Sequence, residues 1–267
     1  MGEDRAPFLL LQISDPHIGA DWNGADPDEC LRRAVEAILA LPDRPDALLV
    51  SGDLTDNGTP AAYRRVRELL APLGLDPHVL PGNHDLRAPL RAEFGLPGEG
   101  DEPVSHAVDL GPLRLICLDS TVPGAEGGAL DGGRIEWLDA ALAEEREKPT
   151  VVALHHPPLR TEIPTFERIG LAPESREALA AVLDRHPQVV RIVAGHVHRT
   201  IVAELAGRAV VTVPSTYLQA ALDFTAPKLS MDADPPGFAV HALRDGTLAT
   251  HLQRIPAPPG NRRLMPQ

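Results

Sequence analysis

Val189-Val190-Arg191-Ile192-Val193-Ala194-Gly195-His196-Val197-His198 sets out the pattern on which the fold turns. Its first half is an apolar run of the length of a buried strand, and Gly195 opens a turn that carries two imidazoles. In extended backbone alternate side chains share a face, so His196 and His198 are expected on one side with Val197 pointing away. Such a pair can serve two adjacent cations. Taken alone, the stretch reads equally well as a turn with surface histidines, but the arrangement recurs. Phe8–Ile13 delivers Asp15-Pro16-His17, residues 47–50 deliver Gly52-Asp53 and Asp56, residues 78–80 deliver Gly82-Asn83-His84-Asp85, and Thr150–Leu154 delivers His155-His156-Pro157-Pro158.

Helical patterns lie between these strands. Residues 29–41 place Leu31, Val35, Ile38 and Leu39 on one face behind a capping Asp28, and Pro42 stops the run. Thr59 caps a second helix with Pro60 at its first position, running to about Leu70. Residues 135–147 and 174–186 read as further helices. Strand, polar loop, helix, strand is the order of a sheet covered by helices, with ligand-bearing loops collected along one edge.

Other segments depart from that alternation. Residues 104–109 and 113–118 read as a hairpin, and residues 202–205, 209–213, 238–243 and 248–252 as antiparallel strands across tight turns. The expectation is an α/β fold of two packed sheets with helices outside, in one domain over residues 1–255 with a flexible tail over 256–267. Residues 160–172 are irregular, either a lid or a surface loop. In residues 215–237 the apolar Tyr217, Leu218, Leu222 and Phe224 suit either a homodimer contact or a loop that covers the core.

Composition narrows the function. The chain has 267 residues, 43% hydrophobic and 24% charged, as in ordinary globular proteins, with only 3% aromatics, so its core must be aliphatic. A formal charge of −13 argues against a nucleic-acid polymer as partner, because that footprint is basic. Cys30 and Cys117 stand far apart in apolar surroundings and read as buried thiols of a reducing compartment. The start of the chain lacks the form of a secretory signal, and nowhere is there an apolar stretch of the ~18 residues that span a bilayer. The cytoplasm is the expected location.

The strand-end side chains have metal chemistry. Asp15 and His17, two apart around the rigid Pro16, are expected to aim at one point. Asp53 can bridge two cations through its two oxygens, with Gly52 leaving room for the metals. Asn83 offers a neutral carbonyl oxygen, and its neighbour His84 points elsewhere, placed to protonate a leaving oxygen. Asp56 either orients the His84 ring or is a loop carboxylate satisfying backbone amides. His155 is preferred as a ligand over His156, which either supports the ligands from behind or lines the substrate pocket. With His196 and His198, these mixed O and N donors suit manganese, iron or zinc better than calcium or magnesium alone.

Asp15-x-His17, Gly52-Asp53-x-x-Asp56, Gly82-Asn83-His84-Asp85, His155-x-Pro157 and Gly195-His196-x-His198, in that order over residues 15–198, resemble the calcineurin-like metallophosphoesterases. The forms Ser14-Asp15-Pro16-His17-Ile18-Gly19 and His-His-Pro-Pro look most like the bacterial class III cyclic nucleotide phosphodiesterases, a branch that includes glycerophosphodiesterases. The resemblance implies a four-layer α/β/β/α sandwich of two mixed sheets. It implies two divalent or trivalent ions, one held by Asp15, His17, Asp53 and His198 and the other by Asp53, Asn83, His155 and His196, with His84 unligated and paired with Asp56.

Two such cations ~3.5–4 Å apart clamp the phosphate oxygens while a hydroxide bridging the metals attacks in line. The expected activity is hydrolysis of small phosphodiesters, most of all 3′,5′-cyclic nucleotides such as cAMP, with phosphomonoesters or glycerophosphodiesters as the alternative. A non-enzymatic scaffold would show lost ligands, and none is lost here.

Overall fold

A computed structural model describes residues 6–22, 25–232 and 234–256. The tail expected over 256–267 therefore lies outside the described residues from 257 onward. In chain order the elements are β1 (Phe8–Ile13), α1 (Pro27–Leu39), β2 (Ala47–Ser51), α2 (Pro60–Leu70), β3 (Pro77–Leu80), α3 (Arg87–Phe94), β4 (His106–Asp109), β5 (Arg114–Leu118) and α4 (Gly132–Glu144). There follow β6 (Thr150–Leu154), α5 (Pro164–Ile169), α6 (Pro173–Leu183), β7 (Val189–Ala194), β8 (Val202–Leu205), β9 (Arg208–Thr212), β10 (Gln219–Ala220), β11 (Met231–Asp232), β12 (Gly237–Arg244) and β13 (Thr247–Arg254).

Two main sheets have the orders β13-β12-β1-β2-β3 and β4-β5-β6-β7-β9-β8, and β10 and β11 pair apart from them as a two-stranded antiparallel sheet. In the first, β1, β2 and β3 are parallel and β12 runs against β1; in the second, β5, β6, β7 and β9 are parallel, with β4 and β8 antiparallel at the edges. Both sheets are mixed, and helices cover their outer faces. The fold is the expected α/β sandwich.

Continuous apolar runs follow from that layering, because a strand covered on both faces has no polar side. Leu10, Leu49, Leu115, Val151 and Val193 fill the space between the sheets. Their neighbours Leu11, Ile13, Leu48 and Val50 pack under α1 and α2, while Ile116, Val152 and Ile192 pack under α4 and α6. Each such fully buried aliphatic side chain contributes roughly 1.5–3 kcal/mol relative to exposure. Cys117 lies in the inter-sheet layer, where burial pushes its thiol up to about 12.

Several boundaries differ from the sequence reading, for local reasons. Asp26, not Asp28, caps α1, accepting from the Asp28 amide at 3.0 Å; Asp28 instead accepts from Arg65 Nε at 2.6 Å. Thr59 caps α2 as expected, its Oγ1 accepting from the Ala62 amide. Helix α3 has no signature of apolar periodicity because its inward face carries Arg87 and Arg91, both buried; Arg87 Nε sits 2.8 Å from Asp119 Oδ2. Helix α4 starts three residues early, capped by Asp131, its first turn disguised by Gly132-Gly133. Residues 160–172, expected to be irregular, contain the short α5. In residues 215–237 Tyr217 is buried, as a loop that covers the core requires, whereas Leu222 and Phe224 are exposed.

Candidate metal centre

Five parallel strands, β1, β2, β3, β6 and β7, end along one edge, and their following loops are stitched together. The Asp15 amide donates to Gly52 O at 3.1 Å, His17 to Asp53 O at 3.0 Å, and Gly195 to His155 O at 3.2 Å. The backbone here is not extended, contrary to the sequence reading. Asp15, His17, Asp53, His196 and His198 all have φ between 46° and 68°, in the left-handed region that non-glycine residues seldom enter. Strained backbone of this kind persists where surrounding contacts over-determine it and concentrates at functional sites. Alternating left-handed residues, rather than strand geometry, turn His196 toward His155 and His198 toward His17, with 5.0 Å between ring centroids in each pair.

Glycines make the convergence sterically feasible. Gly52 was expected to admit metals; instead it admits an imidazole, since a Cβ there would lie 2.2 Å from His155 Nδ1. A Cβ on Gly195 would stand 2.1 Å from Ser14 Oγ and 2.9 Å from Asp15 Oδ2, so this position also demands glycine.

Asp53 lies at the middle. Its Oδ2 is 3.5 Å from His17 Nε2 on one side and 3.3 Å from His155 Nε2 on the other. Around the first side, His17 Nε2 faces His198 Nε2 at 3.1 Å, and His198 Nε2 is 3.7 Å from Asp15 Oδ1. Around the second, His155 Nε2 is 3.2 Å from Asn83 Oδ1. Asp15, His17, Asp53 and His198 form one buried set whose donor atoms lie within 4.8 Å of one another; His155, His156 and His196 form another. Donors held ~2.0–2.2 Å from a common ion stand about 3.0–3.5 Å apart, so this spacing fits metal coordination.

The imidazoles are aimed by backbone carbonyls, which can only accept. His155 Nδ1 donates to Ser51 O at 3.0 Å, His198 Nδ1 to Leu218 O at 2.8 Å, and His196 Nε2 to Ile169 O at 2.9 Å. In the neutral rings of His155 and His198 the proton is thereby fixed on Nδ1, and Nε2, which stands 3.2 Å from Asn83 Oδ1 in the first and 3.1 Å from His17 Nε2 in the second, presents a lone pair to the cluster. His156 differs: Nδ1 meets Ser120 Oγ at 2.9 Å and Nε2 meets Glu126 O at 3.1 Å. Both its nitrogens are used, so it supports the wall from behind. Burial, aided by His155, pushes its pKa down to about 3. Burial also opposes ionisation of Asp53, yet the imidazoles of His155, His17 and His84 hold its carboxyl well below the usual range. His155 responds in the opposite sense: burial lowers its pKa, but Asp53 and Asp15 raise it to about 9.

His84 stands at the rim, its side chain a third exposed, with Nδ1 3.1 Å from Asp56 Oδ1. The pairing matches the sequence reading. Asp85, quoted in its motif but given no role, proves to be the rivet of this side. Its carboxylate accepts from the amides of Leu54, Thr55 and Gly82 and from the hydroxyls of Thr55 and Tyr63, all at 3.0–3.2 Å. The loops after β2 and β3 are thereby locked together. Burial and the neighbouring Asp53 push its pKa up to about 6. Sequence reasoning also missed the orienting carbonyls and the aromatic residues around the cluster, which carry no motif.

His17, Asp53, Asn83, His196 and His198 line a cavity of about 310 Å³ that Trp22, Phe166, Ile169, Leu229 and Met231 also line. Among the described residues no helix is long and apolar enough to cross a membrane.

The chain belongs to the calcineurin-like phosphoesterase family, whose model matches residues 8–200. That class is one of metal-dependent hydrolases of phosphoric esters. More particularly, the chain is 32% identical over 258 residues to the 3′,5′-cyclic adenosine monophosphate phosphodiesterase CpdA of Pseudomonas aeruginosa, covering 94% of this chain and 91% of the relative. It is 31% identical over 250 residues to the glycerophosphodiester phosphodiesterase GpdQ of Enterobacter lignolyticus, covering 88% and 86%. The crystal structure of a dimetal phosphatase from Danio rerio shares the fold, with a TM-score of 0.65 at 16% identity over 94% of this chain and 97% of that one.

Proposed function

We propose that this chain is a dinuclear metal-dependent phosphodiesterase of small phosphodiesters, with 3′,5′-cyclic nucleotides as the preferred class. Asp15, His17, Asp53 and His198 hold one ion; Asp53, Asn83, His155 and His196 hold the second, with manganese, iron or zinc as the metals these donors suit. The observation that carries this reading is the place of Asp53 Oδ2, 3.5 Å from His17 Nε2 and 3.3 Å from His155 Nε2, a carboxylate shared between two donor sets. Bound there, a pair of ions supplies Lewis-acid charge to the phosphate oxygens and lowers the pKa of water.

The chain's own residues do the rest. His84 keeps Nδ1 toward Asp56 and lines the cavity, so Nε2 is the atom that delivers a proton to the departing ester oxygen. Asp56 fixes the ring for that transfer. Among the described residues lining the cavity there is no lysine or arginine, which favours a singly charged diester over a doubly charged monoester. The free Cys30 and Cys117 support a reducing location, the cytoplasm. Glycerophosphodiesters are the second reading, supported by the 31% identity with the Enterobacter enzyme.

A hydrolysis panel tests the proposal. Manganese-loaded protein is expected to cleave 3′,5′-cyclic AMP and a chromogenic diester at least about tenfold faster than the matching monoester, to lose activity with a chelator and to regain it with manganese. Preference for the monoester, or activity indifferent to chelation, would overturn it.

A further inference from the structure

Trp22 is the largest of the described side chains that line the cavity, and it belongs to none of the hydrophobic core clusters and carries no donor for the site. It is half-buried, yet firmly held. Its amide donates to Tyr217 Oη at 3.1 Å, and the Tyr217 hydroxyl donates back to the carbonyls of Trp22 and Ala25 at 3.0 and 3.1 Å. Tyr217 itself is only 2% exposed, so the indole hangs from a buried anchor. Its ring centre lies 4.4 Å from His17, 5.7 Å from His84 and 6.4 Å from His198, nearly parallel to the last at 21°. Trp22 thus flanks the rim where His84 stands. Phe166, Ile169, Leu229 and Met231 also line the cavity, Phe166 with its ring centroid 5.7 Å from that of His196, and among the described lining residues the one acid outside the donor set is Glu126, which is exposed.

We propose that Trp22 is a specificity-determining residue: its indole is the platform on which a flat, uncharged heteroaromatic group of the ester stacks, directing the site toward nucleoside phosphodiesters and away from glycerol head-group diesters. This inference rests on the phosphodiesterase reading and adds to it the chemistry of the group carried by the phosphate. Stacking on an aromatic face needs no base-specific hydrogen bond, so the wall accepts different bases. A cavity of about 310 Å³ admits a ligand of mononucleotide size, at the lower end of the ~300–1,000 Å³ usual for small-molecule sites. A wall built for a polar glycerol or ethanolamine group would offer hydrogen-bonding partners where this one offers hydrocarbon.

Two measurements on the manganese-loaded full chain test it. In the first, kcat/KM is compared for 3′,5′-cyclic AMP and glycerophosphoethanolamine in wild type, Trp22→Ala and Trp22→Phe. The ratio of the two is expected to fall at least about tenfold in Trp22→Ala, chiefly through KM, and to recover most of that in Trp22→Phe. Equal losses on both substrates, or a wild-type preference for glycerophosphoethanolamine or its choline counterpart, would overturn the proposal. The second reads binding without turnover: AMP is expected to quench tryptophan emission in wild type and not in Trp22→Phe, while ribose 5-phosphate quenches neither. Absence of the AMP quench overturns the platform even if diesters are hydrolysed; its presence in a protein that hydrolyses neither diester supports the platform while the phosphodiesterase reading fails.

Discussion

His155, His196 and His198 on one hand and His156, His186 and His241 on the other are all at least 94% buried, and all lie at or near strand ends or within strands. Burial does not separate them; the use of their two ring nitrogens does. In the first group one nitrogen donates to a backbone carbonyl, while His155 Nε2 faces Asp53 and Asn83, His198 Nε2 faces His17, and the His196 ring packs 5.0 Å from that of His155. In the second group both nitrogens are occupied by ordinary partners. His241 lies between Thr250 Oγ1 and Gln12 Oε1, each at 2.9 Å, and His186 meets Asp139 Oδ1 at 2.7 Å and Gln188 Nε2 at 3.3 Å. A structural imidazole is saturated by the protein; a ligand imidazole is held from behind with its lone pair left facing other donors.

The largest effect is expected at Asp53, the centre of the first group. Asp53→Ala should leave the protein without either ion by elemental analysis and reduce turnover by more than about 10³-fold, beyond the loss typical of one oxyanion donor. The adjacent pair His155 and His156 sharpens the contrast. His155→Asn is expected to lose one ion and roughly two to three orders of magnitude in turnover. His156→Asn should keep both ions and show instead a stability loss of about 1–3 kcal/mol in denaturant titration, from the unsatisfied partners at Ser120 and Glu126. Loss of metal in His156→Asn would break the division between the groups.

His84 tests the rim. His84→Ala is expected to retain both ions and lose about a hundredfold in turnover of diesters with poor leaving groups, and much less with p-nitrophenolate, which departs without a proton. Equal losses on both would deny it the role of proton donor.

The smallest effect lies in the saturated group and appears in stability. Burial, then the Arg191 charge, pushes the pKa of His241 down to about 3, below its ordinary value of 6.5. The unfolded chain therefore takes up this proton first, so the stability gained from a neutral His241 is whole above about pH 6.5 and drains away as the pH falls toward 3. Between pH 6 and 4 this amounts to about 1 kcal/mol per pH unit. His241→Gln, which cannot titrate, is expected to flatten the acid limb of the stability curve by that slope in urea titrations; an unchanged slope would deny His241 any part in it.

The sequence exposed the strands and the donors for one physical reason: strands buried on both faces are apolar throughout, so a polar side chain at their ends stands out. Asp15, His17, Asp53, Asn83, His155, His196 and His198 were all found that way, and all lie together. How they converge was not legible, because left-handed backbone at Asp15 or His198 has no residue signature when the residue is not glycine. The carbonyls of Ser51, Ile169 and Leu218 that aim the rings come from backbone, which every residue has. Helix α3 was hidden by buried arginines that break the apolar period. The clamp between Trp22 and Tyr217 joins residues 195 positions apart, beyond the reach of any local pattern.

The most direct test of the central claim is anomalous scattering from crystals of the manganese-loaded protein. Two peaks ~3.5–4 Å apart are expected, one on each side of the Asp53 carboxylate and within bonding distance of His17 and His155 respectively. A single peak, or two that do not share Asp53, would contradict it.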